Sequence, residues 1–271
     1  MAMNLDKIRA RLTTLQTQTK KQINTWKPES GETIIRMVPY KFNKDNPFIE
    51  LLFHYNLNGK NFLSPATFGR PDPCIEFAEK IRQSGKKEDY KLSKSLEPTM
   101  RTYVPIVVRG KENEGVRFWG FGKQVYEQLL GFIADPDYGD ISDPGRGRDI
   151  VVLFKTAKEA GKDYPATTIR VKPDRTMLVD TKDAFQAIMD SQQDITEIYK
   201  EPTYEELKSA LDEWMKMKPE DRAKVNTHKT ASTVQSSQPV ASTPVVNTPV
   251  VSASSTAEEL SAKFDELFKD N

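Results

Sequence analysis

Cysteine and histidine are scarce in this chain of 271 residues, which contains one cysteine, Cys74, and two histidines, His54 and His228. One cysteine cannot form an intramolecular disulfide, so the sequence argues against a disulfide-stapled secreted protein and favours a reducing compartment. These few side chains also leave little material for a His- or Cys-based catalytic site. The glycine stretch at 145–147 lacks the Lys-Ser/Thr that follows a phosphate-binding loop. We therefore expect a protein that is not an enzyme.

Long apolar runs are also missing. No segment approaches the ~18 apolar residues of a membrane span. The first twenty residues are polar and amphipathic and lack the apolar centre of a signal peptide. We expect a soluble cytoplasmic protein with no membrane partner.

Charge is nearly balanced over the whole chain, with a formal net charge of +1, but it is unevenly placed. Residues 1–21 carry five cations and one carboxylate, whereas residues 257–271 carry two cations and five carboxylates. Between the acidic end and the rest of the chain, residues 230–256 have no charge and are rich in Ser, Thr, Pro and Val. This pattern predicts a disordered linker before an acidic tail, and interaction segments at both ends.

Short apolar or alternating segments bounded by turn residues predict six strands, at 33–40, 48–57, 101–110, 115–122, 149–157 and 167–173. Helical spacing and capping signals predict helices at 72–85, 122–135, 181–200 and 203–217. We expect a mainly β fold with added helices, and an OB-type small β-barrel fits this order better than a sandwich. The predicted organisation is a basic arm (1–21), an OB-type core with a helical C-terminal part (22–226), a disordered linker (227–256) and an acidic tail (257–271).

The strand at 115–122 alternates in an unusual way. Phe118 is interpreted as core, which leaves Arg117, Trp119 and Phe121 on the opposite face. Exposed rings beside cations suit single-stranded nucleic acid, because every base has a face to stack on and every nucleotide carries a phosphate. The alternative is that a helix covers this face and the rings belong to the core.

Pairing of the strand at 101–110 with the strand at 115–122 would extend this face. The full set of predicted contacts to single-stranded DNA is Tyr90, Arg101, Tyr103, Arg109, Lys111, Arg117, Trp119, Phe121, Lys123, Lys155, Tyr164, Arg170 and Lys172. The loop at 135–149 is predicted either to be a mobile lid bearing Arg146 and Arg148 or to be a plain surface loop.

The segment ENEGVRFWGFGKQVYEQL, preceded by YVPIVV, resembles the gene-32-type single-stranded DNA-binding protein of T-even-like bacteriophages. The likeness runs from residue 25 to about residue 220. It implies a protein of the host-cell cytoplasm that coats single strands cooperatively in phage DNA replication, recombination and repair. By position, Trp119 corresponds to an aromatic of the family's DNA groove, and Tyr103 and Tyr164 lie close to others. The remaining alternative is an OB-fold RNA-binding or protein-interaction module without DNA preference.

The resemblance also implies roles for the two ends of the chain. The arm, with Lys7, Arg9 and Arg11, would contact the neighbouring protomer. The tail would compete with DNA and recruit a polymerase, helicase loader or recombinase through Leu260, Phe264, Asp265, Glu266, Leu267 and Phe268.

The family's type member holds a structural zinc with one histidine and three cysteines. Here His54 and Cys74 fall where two of those ligands would be, and Ser64 and Phe77 lie near the positions of the others. Two ligands cannot complete a tetrahedral structural site. We therefore predict no zinc and no other cofactor.

Overall fold

The computed structural model describes residues 24–217. The strands in this range are β1 (Thr25–Trp26), β2 (Gly31–Met37), β3 (Ile49–Leu57), β4 (Lys60–Leu63), β5 (Thr99–Val108), β6 (Arg117–Phe121), β7 (Arg148–Lys155) and β8 (Ala166–Arg175). The helices are α1 (Pro73–Arg82), α2 (Lys87–Leu96), α3 (Lys123–Ala134), α4 (Ala157–Ala160), α5 (Lys182–Ser191), α6 (Ile195–Ile198) and α7 (Tyr204–Lys216). The predicted fold class, mainly β with added helices, is confirmed. The predicted arm, linker and tail lie outside the described residues.

The described residues form two compact units. Unit 1 comprises residues 24–49, 102–121 and 125–200, and unit 2 comprises residues 50–101, 122–124 and 201–217. Each unit has its own apolar core, described separately below.

The sheet of unit 1 is built around β2, which pairs antiparallel with β5 on one side and with β7 on the other. β6 continues the sheet beyond β5, and the short β1 pairs parallel with β6. β8 pairs antiparallel with β7 and completes the order β1-β6-β5-β2-β7-β8. The strands predicted from alternation at 33–40, 101–110, 115–122, 149–157 and 167–173 therefore all belong to this unit.

Both faces of this sheet are covered. One face buries alternate side chains of the strands, among them Ile35, Ile106 and Ile150, together with Val125 and Leu129 of α3. The opposite face carries a second cluster with Val38, Val107 and Val116 from the strand region and Leu178 and Ile188 from the segment that includes α5. A sheet covered on both faces needs apolar residues on both, so its strands lose the simple alternation of buried and exposed positions.

Unit 2 combines the β3–β4 hairpin with α1, α2 and α7. Its core includes Leu57, Phe77, Leu96, Leu211 and Trp214, all buried. The predicted start of α7 is confirmed, because Thr203 and Glu206 form a reciprocal capping box. Helix α2 was not predicted, since its sequence, KEDYKLSKSL, offers only two leucines to a core-facing stripe.

A fully buried guanidinium connects the centre of the unit 1 sheet to the loop at 135–149. Arg36 of β2 donates from Nη1 to the Ile141 carbonyl oxygen at 2.8 Å, and from Nη2 to the carbonyl oxygens of Asp143 at 2.5 Å and Thr176 at 3.1 Å. Desolvation lowers the pKa of Arg36 to about 10, against the opposing effect of Asp149. The side chain therefore stays charged at neutral pH, and the surrounding carbonyl oxygens solvate it in place of water.

The same loop is fixed by a second arginine. Arg148 is buried and donates from Nη2 to the Asp137 carbonyl oxygen at 2.8 Å, and its guanidinium carbon lies 5.2 Å from the centroid of the Tyr138 ring. Ile141, whose carbonyl oxygen accepts from Arg36, is also fully buried. The prediction of a mobile lid that presents Arg148 to a ligand is therefore wrong, because this arginine holds the loop against the body of unit 1.

Replacement of Gly147 by any residue with a Cβ atom is expected to destabilise this arrangement. A Cβ atom added there would overlap the Arg36 guanidinium and the Asp143 carbonyl oxygen. Gly147→Ala should therefore lower the free energy of unfolding by about 1–3 kcal/mol, as overpacking does elsewhere. The matched control is Gly145→Ala, whose Cβ would meet only Asp143 Oδ1 at an ordinary 3.6 Å. Urea unfolding followed by circular dichroism measures both, and equal stability of the two variants would contradict the overlap.

Candidate nucleic-acid interface

The aromatic face predicted along β6 is not exposed. Trp119 pairs with Val104 across the β5–β6 ladder, and both side chains enter the same buried cluster. Trp119 is only 2% exposed, and the ring of Trp26 meets it edge to face with 5.6 Å between centroids. Phe121 is buried in the same cluster. The prediction that Trp119 and Phe121 face solvent is wrong, and the alternative, a core covered by a helix, holds because α3 packs there.

Tyr103 was predicted to share a face with Trp119, and this too is wrong. Tyr103 lies opposite Gly120 in the ladder, so its side chain projects from the other side of the sheet. The ring occupies the space above Gly120, where an added Cβ would come within 2.6 Å of it, and its hydroxyl shares a 2.8 Å hydrogen bond with the Tyr199 hydroxyl. Tyr103 is a buried packing residue in this structure.

Two of the predicted cations have structural roles. Arg109 donates from Nε to Asp149 Oδ1 at 2.9 Å, from Nη1 to the Leu178 carbonyl oxygen at 2.9 Å and from Nη2 to the Met177 carbonyl oxygen at 2.8 Å. Arg117 is half-buried and forms an ion pair with Glu114, three residues earlier. Both guanidinium groups therefore have partners within the protein and are only partly exposed, and their contribution to DNA binding stays a prediction.

The other predicted cations on this part of the chain are less enclosed. Lys111 and Lys123 are exposed, and Arg101 is half-buried. Their contribution to DNA binding stays a prediction.

A cationic surface of unit 1 lies on the hairpin formed by β7 and β8. In this ladder Val151 lies opposite Arg170, Leu153 opposite Thr168, and Lys155 opposite Ala166. Lys155 and Arg170 therefore project from one face, while Ile169 and Val171 point into the core. Lys172 directly follows Val171, where the pairing of β7 and β8 becomes irregular. Lys155 and Arg170 are exposed and Lys172 is half-buried.

An aromatic residue follows the turn of the same hairpin. Tyr164 is half-buried just before β8, and the Lys162 ammonium lies 5.6 Å from the centroid of its ring. Helix α4 shapes this turn through the capping box of Thr156 and Glu159. We name the set Lys155, Lys162, Tyr164, Arg170 and Lys172 the ribbon patch. From residue 155 to residue 172 the sequence carries five cations and two carboxylates, so the patch is locally basic.

Unit 2 has an aromatic and cationic surface of its own on α2. Tyr90 is 49% exposed, and the ammonium of Lys94, one turn later, lies 5.8 Å from the centroid of its ring. Lys91 beside them is also exposed. A ring held at a helix surface with lysines around it has the composition of a base-stacking position.

Two further exposed rings with cations beside them were not predicted from the sequence. Phe68 in unit 2 is 39% exposed, with the Arg70 guanidinium carbon 5.4 Å from its ring centroid. Phe42 in unit 1 is 51% exposed beside Lys41. The signal was present as FGR at 68–70 and YKFNK at 40–44, where rings and cations interleave within a turn instead of along a strand.

Unit 2 also contains the described residues that could hold a metal ion, His54, Asp72 and Cys74, whose ligand atoms lie within 4.8 Å of one another. Asp72 caps α1 and accepts hydrogen bonds from His54 Nε2 at 2.9 Å and Ser64 Oγ at 2.5 Å. Burial raises the pKa of the Asp72 carboxyl, but hydrogen bonds from His54, Ser64 and the Ile75 N–H outweigh burial and hold that pKa below its usual range. Asp72 is therefore a buried carboxylate.

The family comparison agrees with the DNA-binding interpretation. A family model described as gp32 DNA binding protein like matches residues 29–218, which is well over half of the chain. The chain belongs to this family. The match begins two residues before β2 and ends just after α7, so it takes in almost all of the described structure. No curated protein matches the chain.

Family membership confirms the resemblance seen in the sequence and gives DNA as the partner. The gp32-like proteins bind single-stranded DNA and are not enzymes, so the family supports the expectation of a binding protein. None of the helices within residues 24–217 is long and apolar enough to cross a lipid bilayer.

Burial of Trp119 predicts the outcome of its substitution. Trp119→Ala should lower the free energy of unfolding by about 3–5 kcal/mol, because it leaves a large cavity beside Trp26 and Val104. The matched control is Tyr90→Ala, a truncated ring on an exposed helix surface, which should change stability by no more than about 0.5 kcal/mol. Urea unfolding of both variants makes the comparison. A Trp119→Ala protein of normal stability would show that the ring is not part of the core.

Proposed function

We propose that this gp32-like protein coats single-stranded DNA cooperatively during phage DNA replication, recombination and repair, and that the ribbon patch is a principal part of its DNA-binding surface. The observation that carries the proposal is the projection of Lys155 and Arg170 from one face of the β7–β8 hairpin, with Lys172 two residues further along β8, in a DNA-binding family. In this proposal the protein binds DNA and does not catalyse a reaction. Nuclease or ATPase activity that copurifies with the protein would contradict this.

The chemistry of the ribbon patch fits a nucleic acid that is recognised through its sugar-phosphate backbone. Ammonium and guanidinium groups neutralise phosphates, and Tyr164 offers a ring face to a base. The side chains of the patch are long cations and one tyrosine, with no amide or carboxylate placed to read a base edge. Binding should therefore tolerate many sequences and weaken steeply with salt.

The ribbon patch makes a quantitative prediction about that salt dependence. Each phosphate contact in a single strand contributes about −0.7 to the slope of log affinity against log salt concentration, because one bound counterion is released. Arg170→Ala and Lys172→Ala should each weaken binding of oligo-dT and reduce the slope by about 0.7. Lys182→Ala, which removes an exposed cation at the first residue of α5, is the matched control and should leave the slope unchanged.

Anisotropy of labelled oligonucleotides at several salt concentrations measures these slopes. The same titration is repeated with oligo-U and with duplex DNA, because phosphate contacts alone do not sense the 2′-hydroxyl and do not set the preference. Weaker binding of both than of oligo-dT identifies a single-stranded DNA-binding protein. Failure to bind oligo-dT at low salt would overturn the proposed function. Normal binding by both ribbon variants would leave the function in place and move the interface elsewhere.

The proposal includes the two ends of the chain. The basic arm, with Lys7, Arg9 and Arg11, contacts the neighbouring protomer on DNA. The acidic tail at 257–271 recruits replication and recombination proteins and competes with DNA for the cationic surface. The opposite charges of these two segments support both roles.

The tail gives a separate prediction. Deletion of residues 257–271 removes five carboxylates and two cations, and it should strengthen oligo-dT binding at low salt because a competing anion is lost. The effect should shrink as salt is raised. Deletion of residues 240–254, an uncharged segment of equal length in the linker, is the matched control. Equal affinities of the two deletion variants would show that the tail does not compete with DNA.

A further inference from the structure

A single carboxylate joins three segments of unit 2 that are far apart in sequence. Asp72 precedes α1, His54 lies on β3, and Ser64 precedes the short 3-10 turn at Pro65–Phe68. All three side chains are at most 3% exposed. The positions include those at which relatives with zinc would place ligands, so the residues present must be tested against a metal.

The hydrogen-bonding capacity of Asp72 is fully used. Oδ2 accepts from His54 Nε2 at 2.9 Å and from Ser64 Oγ at 2.5 Å. Oδ1 accepts from the backbone N–H of Cys74 at 2.9 Å and of Ile75 at 3.3 Å. An ionised carboxylate has about four acceptor positions and no donor, so four donors complete it. Because an ionised carboxylate only accepts, His54 donates to Oδ2 from a protonated Nε2, and a nitrogen in that form has no lone pair for a metal.

The remaining groups fit zinc poorly. His54, Asp72 and Cys74 offer three ligand atoms, and only one of them is a cysteine sulfur. The fourth group in reach of the carboxylate is the Ser64 hydroxyl, a neutral oxygen that structural zinc sites do not use. Phe77, near the last ligand position, is fully buried in the apolar core of unit 2. An ion would have to displace the hydrogen bonds of both His54 and Ser64 to reach Oδ2.

We propose that Asp72 replaces a structural metal in this chain, and that unit 2 folds without an ion because the carboxylate binds His54, Ser64 and the start of α1 together. We name these three side chains the Asp72 lock. It makes the same kind of cross-connection as an ion, with hydrogen-bond donors in place of ligands. The buried negative charge is balanced by donors from two side chains and two backbone groups.

The first experiment measures metal content and its effect on stability. Full-length protein is purified without chelator from cells grown with added zinc, and zinc per chain is determined by mass spectrometry. The Asp72 lock predicts far less than one zinc per chain, and the same midpoint of thermal unfolding with zinc, with EDTA and with neither. Stoichiometric zinc, together with a fall in the midpoint on addition of EDTA, would overturn the proposal.

The second experiment uses two substitutions that separate the lock from a metal site. Asp72→Ser keeps a good capping residue for α1 but is too short to reach His54 and Ser64, and should lower the midpoint by roughly 5–10 °C, with or without zinc. Cys74→Ala removes the only cysteine sulfur but keeps the backbone N–H from which Asp72 accepts, and should lower the midpoint by less than about 3 °C. Cys74→Ala at least as damaging as Asp72→Ser would favour a metal site.

A double-mutant cycle tests whether the side chains act as one group. Ser64→Ala and Asp72→Ser each disrupt the same cluster, so their effects on the midpoint should add to clearly more than the effect of the double variant. Strict additivity would show that Asp72 and Ser64 act independently and would contradict the lock. If Asp72→Ser does not fold, the metal content, the EDTA comparison and Cys74→Ala still decide the question.

Discussion

The buried guanidinium of Arg36 is the constraint on which unit 1 depends. A charge at the centre of a sheet is tolerated only when other dipoles replace water, and here the carbonyl oxygens of Ile141, Asp143 and Thr176 do so. These carbonyls belong to the segments that enter β7 and leave β8. The requirement to solvate one cation therefore fixes both ends of the hairpin whose outer face carries the ribbon patch.

A second arginine extends the same network. Arg109 reaches Asp149 at the start of β7 and the carbonyl oxygens of Met177 and Leu178 after β8. Arg36 on β2 and Arg109, directly after the neighbouring strand β5, thus both contact residues around the start of β7 and the end of β8. Both arginines are engaged by carbonyl oxygens, and Arg109 also by Asp149, whereas Lys155 and Arg170 of the ribbon patch are exposed.

The sequence predicted the strands of unit 1 well because alternation and turn residues are local signals, but it could not decide which face of β6 is buried. Both faces of that strand carry large apolar side chains, Phe118 on one and Trp119 on the other, and alternation is silent when both are covered. The position of α3 decides the matter, and it is a tertiary fact. Capping signals found α1 and α7, whereas the polar helix α2 gave no stripe to detect. The contacts of Asp72 with His54 and Ser64 could not be predicted from local signals, because they join residues 18 and 8 positions apart.

The burial of the tryptophans has an optical consequence. All three tryptophans of the chain, Trp26, Trp119 and Trp214, are at most 7% exposed. Trp26 and Trp119 touch each other in the core of unit 1, and Trp214 lies in the core of unit 2. The intrinsic emission of this protein therefore reports the packing of two separate cores and not the stacking of bases on an indole. Replacement of Trp214 alone would leave Trp26 and Trp119, whose emission follows unit 1. Replacement of both Trp26 and Trp119 would leave Trp214 alone, whose emission follows unit 2.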